Sequence, residues 1–452
     1  MSQMLDARLE NTGTRFRILP LPTYVDPNVQ PETITVSVPA GTMLPGPADD
    51  RMFVIDAVRK RPYSEVTGPP YTGPANPPVQ PSAAGHFDHL VPGSREFLAA
   101  TMYATVRRTL DIWEDYFGDS IAWEFEADFA RLEMIPLIEW DNAQSGYGFL
   151  EFGYGRTPLG GIDHDRPYCV NFDVLAHELG HSIIFSQVGV PNNPADIAID
   201  YGGMHESAGD LVAIVAVLHF NTMVDRLLRR TSGNLFTVNE LDRVGELSND
   251  RQIRVAFNSM RMSDVGEEPH DRSLPLTGGI FDIMVEVYQK KLVQAGMITQ
   301  SLADRSTNGM AHESELPGIQ GEFNAAYVGN EGAFKTALLS ARDYLGKLLA
   351  VTWGGLSPDF LTYGDVLRAL LRADRDESVS GGVHQETIRS CFAWREITKS
   401  PGSIMLRPRT LRECGLLHVP ESPVAAETPV VIVSPARSKP GSRQGAKRKV
   451  AA

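Results

Sequence analysis

The amino-acid sequence predicts an α+β fold, mixed in its first half and mainly helical in its second. Three observations carry this. Short β-branched runs such as Thr33-Ile34-Thr35-Val36-Ser37-Val38 lie in the first half. Between 95 and 118, Phe97, Leu98, Met102, Val106, Leu110, Trp113 and Phe117 recur mostly at three- and four-residue steps, the pattern of an amphipathic helix. Beyond residue 170 the apolar stretches are long and helical in period. With 452 residues, 42% of them hydrophobic, the chain can build one large two-lobed domain or two ordinary ones.

In chain order, residues 1–50 read as an irregular arm with a strand or two, and 52–57 as a further strand. Seven prolines between 61 and 81 predict an extended, backbone-solvated connector. The helix over 95–118 ends at Gly118. Strand-like runs follow at 121–125, 132–139 and 147–152. Asn171 can cap a helix that runs through His181 to Gln187, with Gly189 as its stop. A second helix is expected after Gly202-Gly203. It is apolar on nearly all sides from Leu211 onward, so it is expected to be buried. Further helices are predicted at 278–295, 333–351 and 362–373. The resulting division is an arm and connector over 1–85, a mixed lobe over 86–190, a helical lobe over 191–420, and a disordered basic tail over 421–452 with no apolar period after Val433.

The formal net charge is −14. Six basic residues lie beyond 435 (Arg437, Lys439, Arg443, Lys447, Arg448 and Lys449), so the rest of the chain is more acidic still. An acidic surface argues against nucleic acid as the main partner, which would need clustered cations. No stretch approaches the roughly 20 apolar residues of a membrane span, and no apolar signal core opens the chain. A cytoplasmic location is expected, with export by a non-classical route left open. Three cysteines, Cys169, Cys391 and Cys414, make no disulfide framework and are expected as free thiols.

Residues 176–181 read Ala-His-Glu-Leu-Gly-His. On a helix, positions four apart share a face, so His177 and His181 can offer two imidazoles to one ion. Glu178 lies about 100° further round, within reach of a water on that ion. Imidazole suits Zn2+, which in hydrolytic sites takes three protein ligands and a water. An extended HExxHxxGxxH pattern is excluded, because Ile184 and Gln187 occupy the deciding positions. Downstream, Glu206 and Asp210 fall on one helix face. Glu206 can complete the coordination, and Asp210 can accept the free N–H of a ligating histidine. His205 is a rival ligand that would point about 100° away from that face.

These segments resemble the thermolysin-like family of gluzincin metallopeptidases. The run from Asp173 to His181, DVLAHELGH, is similar to the family's DVVAHELTH, and Glu206-Ser207-Ala208-Gly209-Asp210 to its NExxSD helix. Asn142-Ala143 resembles the Asn-Ala of the family's edge strand, Phe152-Gly153-Tyr154-Gly155 its YGDG, and Thr277-Gly278-Gly279-Ile280 its NSGI helix start. The resemblance implies a two-lobed α+β metallopeptidase, with a mixed N-terminal lobe carrying the sheet and zinc helix and a mainly helical C-terminal lobe. It implies one Zn2+, a peptide or protein substrate, and Asn142 and Ala143 as substrate-binding residues. The family's transition-state histidine would fall at Pro275, so His270 is the nearest substitute. Tyr201 and Arg261 are candidates from position alone. The family's calcium carboxylates do not carry over as a set, since only Asp173 matches.

The expected function is therefore peptide hydrolysis by activated water, with Glu178 as general base and His270 as oxyanion donor. Two alternatives stay open: another hydrolase on the same scaffold or a peptidase dedicated to one partner, and a zinc-binding protein that has kept the site without turnover.

Overall fold

The computed structural model describes residues 2–398 apart from 65, 237–242, 245–253, 257 and 308–311. The expected basic tail over 421–452 and Cys414 lie outside the described residues. Helix α1 spans Ser2–Leu9. Strands β1 (Gly13–Ile18) and β2 (Glu32–Pro39) pair antiparallel, and β3 is Met52–Val54. Helix α2 (Arg95–Phe117) begins where Ser94 Oγ accepts the Phe97 N–H at 3.1 Å. It ends at Gly118, whose φ of 80° is left-handed and suits glycine.

Strands β4 (Leu132–Ile135), β5 (Ala143–Gly146) and β6 (Phe149–Phe152) follow. With β3 they form a four-stranded sheet of order β3-β4-β6-β5. β3, β4 and β6 are parallel, and β5 lies antiparallel at the edge. β5 and β6 turn through Tyr147-Gly148, with Gly148 at φ 85°. β7 (Tyr154–Arg156) and β8 (Ile162–Pro167) make a small hairpin.

Side chains alternate across the sheet, as a period of two requires. Met134, Leu150 and Phe152 join the main core with α2. Ile135 and Phe149 face a second, small core with Ala57, Tyr63 and Ile138. On that second face the buried Glu133 accepts Tyr63 Oη at 2.6 Å and the Tyr71 N–H at 2.7 Å. Glu151 accepts the Tyr63 N–H at 2.7 Å and pairs with Lys60 at 2.5 Å. The proline-rich segment is thus bound to the sheet. The expectation of a backbone-solvated connector fails, because two buried carboxylates take its donors. The run at 121–125 is also no strand. Its Trp123 and Phe125 are buried through turns, with rings stacked 5.4 Å apart.

Helix α3 (Phe172–Gln187) is capped as expected, with Asn171 Oδ1 accepting the Val174 N–H at 3.2 Å. The remaining helices are α4 (Ile199–Val217), α5 (Asn221–Thr231), α6 (Pro269–Gln294), α7 (Gln300–Ser306), α8 (Leu316–Tyr327), α9 (Glu331–Trp353), α10 (Tyr363–Asp374) and α11 (Gln385–Trp394). α4 begins before Gly202-Gly203, not after it, and is buried over nearly its whole length. α6 begins at Pro269, well before 278, and contains Pro275. One main core joins residues of the arm, the sheet and the helices. Cys169 and Cys391 are buried free thiols. Among the described residues, no single helix is long and apolar enough to cross a membrane.

Candidate metal centre

Two helices make the centre. On α3, His177 and His181 share one face, with ring centroids 4.8 Å apart and planes at 90°. α4 crosses this face very closely because both helices carry glycine at the crossing. A Cβ built on Gly180 would lie 2.7 Å from Gly209 Cα, and one on Gly209 would lie 2.6 Å from His177 Nδ1. A larger residue at Gly180 would push the helices apart, and one at Gly209 would displace the His177 ring or the helix that carries it.

This crossing brings Glu206 to the two histidines. His177 Nε2 is 3.4 Å from Glu206 Oε2, and His181 Nε2 is 3.8 Å from Glu206 Oε1. One ligand atom from each residue lies within 4.8 Å of the others, and all three residues are buried. Tetrahedral donors bound at zinc-like distances would stand roughly 3.3–3.5 Å apart, so the donor set fits such an ion. Burial also favours it, because a cation would offset the buried Glu206 carboxylate. Behind the cluster, Asp210 Oδ1 lies 2.9 Å from His177 Nδ1. A proton held on Nδ1 leaves the Nε2 lone pair for a metal. Glu178 is half-buried next to His177 and is not one of the three converging residues.

His205 is not in the group either. Its ring is fully buried, 4.6 Å from Phe185 and 4.7 Å from Tyr201, and burial pushes its pKa down to about 3. It is a neutral packing residue here.

His270 precedes the helix predicted at 278–295, but that helix starts earlier and His270 sits in the first turn of α6. Its Nε2 is 3.5 Å from Glu206 Oε2, and its Nδ1 is 2.7 Å from Glu268 Oε1. Glu268 also caps α6, its Oε2 accepting the Asp271 N–H at 2.9 Å. Burial works to raise the Glu268 pKa, but the hydrogen bond and charge of His270 outweigh it and hold the carboxyl below its usual range. Sequence reasoning missed Glu268. Its one signal was the following Pro269, since proline favours the first helical position.

Asn142 and Ala143 stand where edge strand β5 begins. Asn142 Oδ1 accepts the Ala143 N–H at 2.9 Å, and Asn142 O accepts the Gly153 N–H at 2.9 Å. β5 touches α3 through Ser145 and Ser182, whose hydroxyls are 3.2 Å apart, one residue beyond His181. Two other candidates are used elsewhere. The Tyr201 hydroxyl donates to Gly189 O at 2.7 Å, and the Arg261 guanidinium lies 4.9 Å above the Trp394 ring.

No protein-family model and no curated protein matches the sequence. Among solved structures, the precursor of protealysin, a metalloproteinase from Serratia proteamaculans, is similar over 80% of this chain and 90% of that chain, at 15% sequence identity and a TM-score of 0.40. The chemistry considered below rests on the side chains of this chain.

Proposed function

We propose that the chain is a zinc-dependent endopeptidase of the gluzincin type. The observation that carries this is the convergence of His177, His181 and Glu206, with Glu178 next to the first histidine on the same helix. In this reading His177, His181 and Glu206 hold one Zn2+, and Asp210 orients His177. The bound metal would supply Lewis acidity and a water of lowered pKa. Glu178 takes the proton of the attacking water and returns it to the leaving amine. His270, held through Nδ1 by Glu268, donates from Nε2 to the developing oxyanion. Asn142 and Ala143 hold an extended peptide beside β5. The sheet and α3 form one lobe, the helices from α4 onward the other, and the substrate lies between them. The substrate is a peptide or protein, with no role for nucleic acid or membrane.

Metal analysis and digestion of an unstructured protein such as casein, followed by a peptide library, test this reading. About one zinc per chain and cleavage by the wild type are expected. Glu178→Gln should keep the zinc and lose at least about a hundredfold in rate, the scale of general-base catalysis. Zinc without turnover would favour a non-catalytic zinc-binding protein. Cleavage of one dedicated partner alone would favour a partner-specific peptidase.

A further inference from the structure

Helix α6 carries Pro275 in its interior. Proline has no N–H to give the Asp271 carbonyl, and its ring crowds that carbonyl. The first turn, 269–274, is therefore joined to the rest of α6 by a weakened ladder. That turn carries His270, whose distance from Glu206 matters in the proposed reaction.

The turn is held from the side instead. Arg272 donates from Nε and Nη2 to Asp200 Oδ1 at 2.9 and 2.7 Å. Asp200 Oδ2 accepts the Tyr363 N–H at 2.9 Å. The Tyr363 hydroxyl donates back to the Arg272 carbonyl at 2.7 Å. The contacts close a ring across α4, α6 and α10, with Asp200 and Tyr363 buried. α4 is seated directly against this ring at Gly203, one turn before Glu206. A Cβ there would lie 2.2 Å from Tyr363 Oη and 2.9 Å from Arg272 Cγ. The two sides of the 3.5 Å gap between His270 and Glu206 are thus referred to one set of contacts.

We infer that Asp200, Arg272 and Tyr363 are positioning residues: a clamp that sets His270 against Glu206 across the weakened ladder at Pro275. The inference rests on the role of His270 in the proposed peptidase reaction. The geometry of the clamp does not depend on that role.

The test uses zinc-loaded full-length Tyr363→Phe and Asp200→Asn, each alone and combined with His270→Ala. Tyr363→Phe is nearly isosteric, so it guards against a variant that fails to fold. Zinc per chain should be unchanged and KM should stay within about twofold. The kcat should fall about ten- to a hundredfold, the scale of a misplacement near 1 Å. In the His270→Ala background the same changes should cost nothing more, because residues that act through one group are non-additive. Equal losses in both backgrounds, or full kcat in both single variants, would overturn the clamp. If the wild type binds zinc but turns over no peptide, the function proposed above fails by itself. The clamp is then judged by the His270 imidazole NMR signals, identified by their loss in His270→Ala. They should shift in Tyr363→Phe, and unmoved signals would overturn it.

Discussion

His177 offers its two ring nitrogens to different neighbours, Nε2 toward Glu206 and Nδ1 toward Asp210. In the proposed reading, this arrangement would separate metal binding from orientation. Asp210→Ala should weaken zinc binding by about ten- to a hundredfold, the usual loss when such a partner is removed. His205→Phe should leave zinc content intact, because that ring packs among Phe185, Tyr201 and His181. Competition with a chelator measures both. The opposite pattern would transfer the third ligand from Glu206 to His205. Glu268→Ala should reduce kcat through His270 and cost about 1 kcal/mol of stability through the lost cap, read from a denaturant titration. The residues on α3 and Glu206 were legible in the sequence because helical spacing is a local rule. His270 was reached through the resemblance, as the nearest substitute for a histidine that would fall at Pro275, and through the reaction's need for a second donor. Glu268 left only the signal of Pro269, because its bonds to His270 and the Asp271 N–H need a helix that starts at 269, and the period placed that start at 278.

At the scale of elements, the approach of α3 and α4 is set by two glycines. Gly209→Ala would put a methyl carbon about where the His177 ring now lies, at 2.6 Å from Nδ1 and Cε1. The helices would have to part or the ring would have to turn, and either separates His177 from Glu206. Zinc affinity should therefore fall although no ligand is changed, while far-UV circular dichroism stays nearly the same. An unaltered affinity would mean that the crossing tolerates more than this packing allows. Elements with strong local signals were readable: α2 from its period and Gly118, and α10 near the capping box of Thr362 and Asp365. The misread ones had local signals that tertiary contacts override. Gly202 and Gly203 suggested a helix start, but at Gly203 glycine makes room for Tyr363 and Arg272 inside α4. The helix predicted from 278 begins nine residues earlier, at Pro269, and α6 runs through Pro275. Gly278, read as an opening residue, lies within α6 because Arg395 packs against it, 2.6 Å from where a Cβ would stand.

For the whole molecule, the point where α2, α4 and α9 meet is expected to contribute to the response to acid. His219 follows α4 and is buried, with Nε2 3.0 Å from Tyr116 Oη. The same hydroxyl is 3.1 Å from Asp343 Oδ1, and Arg342 donates to Leu218 O at 2.9 Å. Burial, then the positive charges of Arg342 and Arg108, hold the His219 pKa well below its ordinary 6.5. The folded protein keeps this ring neutral, whereas the unfolded chain protonates it at its ordinary value. Above about pH 6.5 neither state takes the proton and the contribution to stability is complete. As the pH falls below that value, the unfolded state gains a proton that the folded state refuses, so stability declines. His219→Gln keeps a polar partner for Tyr116 and removes the titration. Its melting temperature should start lower at pH 7.5, where the native packing is lost, and then fall less steeply than that of the wild type between pH 6.5 and 5, on the scale set by linkage. The difference between the two curves isolates His219, because the histidines of the metal centre are common to both proteins. Parallel curves over that range would show that acid acts elsewhere and that the junction takes up the proton without opening.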